Sequence, residues 1–165
     1  MADSIPVLFD TDIGNDIDDA VALAYLLRQP RCELLGVTTA TGDVVKRAGL
    51  VEAVCSASGR TDVPIHAGVA GPLLHGTEQG VPQYAAIENT PHRTDYPVGA
   101  ALGFLADTIR SRPGEVVLLA TGPLTNIGLL FATDPGLPGL LKGFYWMGGV
   151  YTAGAGHGPG AKEWD

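Results

Sequence analysis

The sequence predicts an α/β protein with a Rossmann-like, mainly parallel sheet flanked by helices. Three observations carry that prediction. Short apolar runs alternate with longer stretches of helical spacing along most of the chain. The first run, helix and second run follow so closely that they read as a right-handed βαβ unit. Finally, the segment Asp10 to Asp19 and the residues Asp43, Thr121 and Met147 all follow predicted strands. In parallel sheets that carboxyl edge is where ligands bind.

The first strand is expected at residues 5–10, from Ile5-Pro6-Val7-Leu8-Phe9. After an acidic turn, Ala20 to Leu27 is a good helix former, giving a helix over about 17–28. Pro30 ends it, because proline disfavours helical geometry in the residue before it. Glu33 to Thr39 reads as a short buried strand, and residues 44–58 as the second helix. Val63 to His66 is a third, short strand. Residues 67–96 break the pattern with many Gly and Pro, and a loop of that length is either functional or a surface excursion. Helical spacing resumes from Pro97 to Arg112 through Val98, Leu102, Leu105 and Ile109. Glu115 to Ala120 is the fourth strand, Leu124 to Thr133 a helix, and Gly143 to Met147 the fifth strand.

Composition narrows the function. Of 165 residues, 45% are hydrophobic, enough for one domain with a sizeable core. No repeat or linker divides the chain, so residues 1–165 read as part of a single domain. The charge of −8 argues against non-specific binding to nucleic acid or anionic membranes. No apolar run approaches the ~20 residues of a membrane span, and Met1-Ala2-Asp3-Ser4 does not open a signal peptide. Cys32 and Cys55 lack metal spacing and are expected as buried free thiols, which suits a reducing, cytoplasmic setting.

Residues 10–19 hold five carboxylates: Asp10, Asp12, Asp16, Asp18 and Asp19. Like charges this close repel unless a cation offsets them, so a hard divalent metal is expected there. An EF-hand is excluded, since Val21 would fall where its bidentate acid belongs and Asn15 where glycine belongs. Asp10-Thr11-Asp12 also fits the DxD of aspartyl-nucleophile phosphatases, although Gly14 and Asp18-Asp19 do not follow that pattern. Part of the cluster has a plainer explanation, because one of Asp16, Asp18 and Asp19 is expected to cap the helix.

From Asp10 to Leu23 the chain resembles the signature of the inosine-uridine preferring nucleoside hydrolase family. The resemblance continues through Gly36-Val37-Thr38-Thr39 to Gly42-Asp43, through Ala120-Thr121-Gly122-Pro123-Leu124-Thr125-Asn126-Ile127, and through Met147-Gly148-Gly149 to Glu163-Trp164. It implies that this chain is the N-terminal part of a nucleoside hydrolase domain. The implied reaction is hydrolysis of the N-glycosidic bond of a ribonucleoside, with bound Ca²⁺. Asp12 resembles the family's metal ligand and general base, Asp19 its second carboxylate ligand, and Thr121 a carbonyl ligand. Asp18 and Glu163 match positions that contact ribose, and Asp43, where some family members have Asn, is expected to orient a ligand or ribose, with a cap on the second helix as the alternative. Met147 matches a residue lining the sugar pocket, and His157 stands where the family tends to place a sugar-contacting Asn. Asp165 occupies a ribose-contact position where the family usually carries Asn. Asp10 and Asp16 are left to hold the turn.

The family continues for a second half that supplies a further aspartate ligand and a histidine near the leaving base. Ala153 to Gly160 cannot pack a core, and the chain stops on Glu163-Trp164-Asp165, so the domain is expected to be incomplete at its C-terminus. A non-catalytic remnant binding ribose or metal is the alternative reading. A homo-oligomer is expected, since a half-domain leaves a sheet edge uncovered.

Overall fold

A computed structural model describes residues 4–74 and 79–148. Strand β1 spans Ile5–Thr11, β2 Cys32–Thr39, β3 Ile65–Ala67, β4 Val117–Ala120 and β5 Gly143–Trp146. They form one sheet in the order β3-β2-β1-β4-β5, with every neighbouring pair parallel. Helices α1 (Asp18–Arg28), α2 (Val44–Ala57), α3 (Ala100–Ser111) and α4 (Thr125–Thr133) make the connections. The chain adds strands on one side of β1 and then on the other. The strand order therefore reverses between β1 and β4, the switch point at which open α/β sheets bind ligands.

The alternation of side chains along β1 splits the core in two. Val7 and Phe9 pack with Leu23 and Leu27 of α1 and with Val51 and Cys55 of α2. Leu8 points the other way, among Leu105 and Ile109 of α3, Leu118, and Ile127 and Leu130 of α4. Because β1 is covered on both faces, it reads as a continuous apolar run. Burying each such side chain contributes about 1.5–3 kcal/mol.

The expected elements are all present, with three local differences. Helix α3 starts at Ala100 rather than Pro97, because Gly99 before it takes a left-handed φ of 86°. Val98 is consequently exposed and lies outside the helix. Within residues 67–96 the segment Pro82–Ala86 forms a 3₁₀ turn, and Val81, Tyr84 and Ile87 pack against the first core cluster. A second 3₁₀ turn, Leu137–Leu140, has no counterpart in the expected pattern. Of the two free thiols, Cys55 is buried but Cys32, at the start of β2, is only half-buried.

The two faces of the sheet are not equally covered over β4 and β5. Tyr145 is exposed, and a groove of about 510 Å³ runs between it and α1, floored by Val7 and Val117. Among the described residues no helix is long and apolar enough to cross a membrane.

Candidate active site

The acidic turn leaves β1 at the switch point, and its carboxylates meet different fates. Asp10 lies on the strand with no exposed surface. Its Oδ1 accepts hydrogen bonds from the Thr38 hydroxyl on β2 and from Asn126 Nδ2 on α4, the latter at 2.8 Å. Its Oδ2 is buried with no hydrogen-bond partner. Burial pushes the carboxyl up to about 6, despite the two donors that oppose the shift.

Asp12 and Asp19 lie together at the end of β1. Both are buried, with exposures of 8% and 5%. Burial, and next the negative charge of Asp19, push Asp12 up to about 7. Asp19 Oδ1 accepts from the hydroxyls of Thr11 and Thr121, each at 2.5 Å. Thus α1 is joined to both β1 and the loop after β4. Gly122 makes the approach of that loop possible, since a Cβ there would sit 2.7 Å from the Asp12 nitrogen and 2.9 Å from its Oδ1.

Asp16 and Asp18, in contrast, are exposed. The expected side-chain cap is not found. The N-cap position of α1 is Ile17 and makes no side-chain hydrogen bond, while Asp18 and Asp19 fill the first turn. Acids there still favour the positive end of the helix. Asp43 does cap α2, accepting from the Lys46 amide at 3.0 Å, and it pairs with the Lys46 ammonium at 3.2 Å. It lies on the same sheet edge, beside a cleft formed with Gly42, Gln79, Gly80 and Val81. Met147 follows β5, exposed, with its amide bonded to the Ala120 carbonyl at 2.9 Å.

The fold therefore brings Asp12, Asp19 and Thr121 into one cluster. It sets Asp18, Asp43 and Met147 along the same rim without a hydrogen bond to that cluster. His157, Glu163 and Asp165 lie outside the described residues. Three side chains were not foreseen. Asn126 bonds Asp10, the Thr39 carbonyl at 3.0 Å and the Val69 amide at 2.9 Å. Thr38 supports Asp10, and the buried Arg47 donates to carbonyls of the acidic turn. Thr38 and Asn126 belong to the blocks of resemblance, but nothing in their spacing told which acid they would meet.

Among the described residues no group of three or more His, Cys, Asp or Glu side chains is placed to hold a metal ion. The donors that do converge, two carboxylates flanked by threonine, are all oxygen, which suits a hard cation such as Ca²⁺ or Mg²⁺. Two carboxylates fall short of the six to eight oxygens calcium takes, so the set fits as part of a site. The phosphatase reading fares worse. Asp10, the first acid of the DxD, is sealed from substrate by Thr38 and Asn126.

Comparison with known proteins shows the family. The inosine-uridine preferring nucleoside hydrolase family matches residues 7–164. A probable uridine nucleosidase 2 of Oryza sativa subsp. japonica is 32% identical over 172 residues, covering 94% of this chain and 48% of the relative. A pyrimidine-specific ribonucleoside hydrolase RihA of Shewanella sp. (strain MR-7) is 33% identical over 175 residues, covering 98% of this chain and 52% of the relative. The solved structure of a plant nucleoside hydrolase, the PpNRh1 enzyme, superposes with a TM-score of 0.75 at 23% identity, over 88% of this chain and 48% of that one. That likeness speaks for the fold. The chain spans about half the length of the curated relatives it matches. With the match covering nearly all of its residues, the chain belongs to the inosine-uridine preferring nucleoside hydrolase family.

Proposed function

We propose that this rim serves hydrolysis of the N-glycosidic bond of ribonucleosides, releasing ribose and the free base, with this chain supplying the N-terminal part of the hydrolase domain. The observation that carries the reading is the buried Asp12–Asp19 pair at the switch point, joined through Asp19 to the loop after β4. In this reading Asp12 removes a proton from the attacking water, whose oxygen bonds the anomeric carbon. The carbon–nitrogen bond breaks, its electron pair leaves with the base, and the proton taken by Asp12 returns through solvent to the departing nitrogen. The positive charge that develops on the sugar is met by fixed carboxylates.

Asp12, Asp19 and the Thr121 carbonyl would hold Ca²⁺, which when bound makes a water easier to deprotonate. Asp18 and Asp43 would contact or orient the ribose hydroxyls, and Met147 would line the sugar pocket. His157, Glu163 and Asp165 are proposed as further ribose contacts from their sequence positions. We assign the protein to the cytoplasm and to nucleoside salvage, and expect the open groove beside Tyr145 to favour a homo-oligomer. Light scattering that finds only monomer would remove the last point.

The reading is tested by incubating the chain with inosine, uridine and a chromogenic riboside and following the release of base. Release that falls about 10²–10⁴-fold in Asp12→Asn is the expected result. A second reading, a non-catalytic member binding ribose or metal, is favoured by the donor set at the rim, two carboxylates where calcium takes six to eight oxygens. Turnover by the wild-type chain eliminates it. No release from any of the three substrates, with calcium still bound, establishes it.

A further inference from the structure

Among the described residues Arg47 on α2 is the largest side chain with no exposed surface, and it bonds four backbone carbonyls. Nη1 donates to the carbonyl of Asp12 and, at 2.9 Å, to that of Ile13. Nε donates to the Thr41 carbonyl at 2.8 Å, and Nη2 to that of Gln79 at 3.4 Å. The four carbonyls come from three separate segments: the acidic turn, the β2–α2 loop and the chain before Pro82. No carboxylate forms an ion pair with this guanidinium among the described residues. The nearby negative charges of Asp12, Asp19 and Asp43 oppose the effect of burial, which still lowers the Arg47 value.

The second observation is strain. Thr41 has φ 69°, the one non-glycine residue at positive φ among those described. A β-branched residue there is a real outlier and must be held by its surroundings. Its amide bonds the Val69 carbonyl at 3.1 Å and its carbonyl takes Arg47 Nε. Gly42 beside it, φ 63°, has no room for a side chain, since a Cβ would lie 2.5 Å from the Gln79 carbonyl oxygen. The strained pair leads straight into Asp43 and α2.

We propose that Arg47 is a positioning residue: its planar fork fastens the acidic turn to the strained β2–α2 loop and so fixes where the Asp12 carboxylate faces. By turning the Asp12 and Ile13 carbonyls inward onto the guanidinium, it leaves the carboxylate free for the rim. Lysine cannot replace it, because one ammonium cannot span carbonyls spread over three segments. The positioning stands on these contacts alone. Its consequence for a bound cation rests on the function proposed above.

The test compares wild type with Arg47→Lys by amide hydrogen exchange and by calcorimetric titration with CaCl₂. The expected result is selective: exchange rises at least ~10-fold in residues 11–16 and 40–43, while β4 and α3 change by less than ~3-fold. A uniform rise, or none, overturns the proposal, since a purely packing role would loosen the whole core. Should Arg47→Lys fail to fold, adding Thr41→Gly is expected to restore a folded chain, because glycine removes the strain that Arg47 holds. Failure of that double variant overturns the proposal too. Calcium titration separates the two readings. Absence of binding by wild type rejects the metal role and leaves the exchange result to decide on Arg47. Binding weakened at least ~10-fold in Arg47→Lys supports both.

Discussion

One ten-residue turn holds two kinds of acid, and the difference between them is more informative than their number. Asp10, Asp12 and Asp19 are buried, and hydrogen bonds tie Asp10 and Asp19 to β1, β2, α4 and the loop after β4. Asp16 and Asp18 are exposed at the start of α1. The buried acids lie near the switch point and carry the cost of desolvation. The exposed acids are solvated and favour the positive end of the helix. Clustering in sequence signals a ligand site, but burial decides which acids the fold holds, and it pushes Asp10 and Asp12 upward.

The largest effect that would break this contrast concerns pH. Without divalent cations, the folded-state values of Asp10 and Asp12, about 6 and about 7, lie above the ordinary 3.8. The folded chain then holds protons that the unfolded chain releases. This contribution to stability is complete below about pH 4 and is lost as pH rises through 6 and 7, on the order of 3 kcal/mol for Asp10 alone. Urea titrations between pH 4 and 8 should show the decline, and Asp10→Asn should flatten part of it. A rise in stability over that range from these two groups would refute their upward shift by burial. Saturating Ca²⁺ should offset the decline at neutral pH, since a bound cation favours the ionised forms.

The next effect is Asn126→Ala, which strips partners from Asp10, the Thr39 carbonyl and the Val69 amide. Leaving buried polar groups unsatisfied should cost about 2–3 kcal/mol, measured as a fall in the urea midpoint with m unchanged. Smaller still is Thr121→Val, which keeps the volume and removes one of the two hydroxyls on Asp19. A loss of about 1 kcal/mol is expected. Asp16→Asn, on the exposed side, should stay within about 0.5 kcal/mol. Equal losses from Thr121→Val and Asp16→Asn would erase the distinction between the two sets.

Much of the fold was legible because its elements are strongly patterned. The run Val7-Leu8-Phe9 faces both halves of the core, and the Leu105 and Ile109 spacing marks the buried side of α3. The start of α3 was misplaced because Val98 continues the apolar spacing, whereas Gly99 sets the backbone break. The cap of α1 was misjudged for a related reason. Asp19 satisfies two threonine hydroxyls from other elements, and no local rule could weigh that alternative.

By itself, the sequence determined the alternating elements, the strand-end position of the acids and the family, because apolar periodicity and local motif chemistry act over a few residues. Only the tertiary structure decided which acids are buried and which hydroxyl meets which carboxylate. It alone set Arg47, from the first turn of α2, beneath the turn 35 residues earlier. Desolvation and hydrogen-bond partnership depend on neighbours brought together across the sheet, and those neighbours exist only once the strands have taken their order. The five acids thus became three that the fold holds and two that it leaves to water.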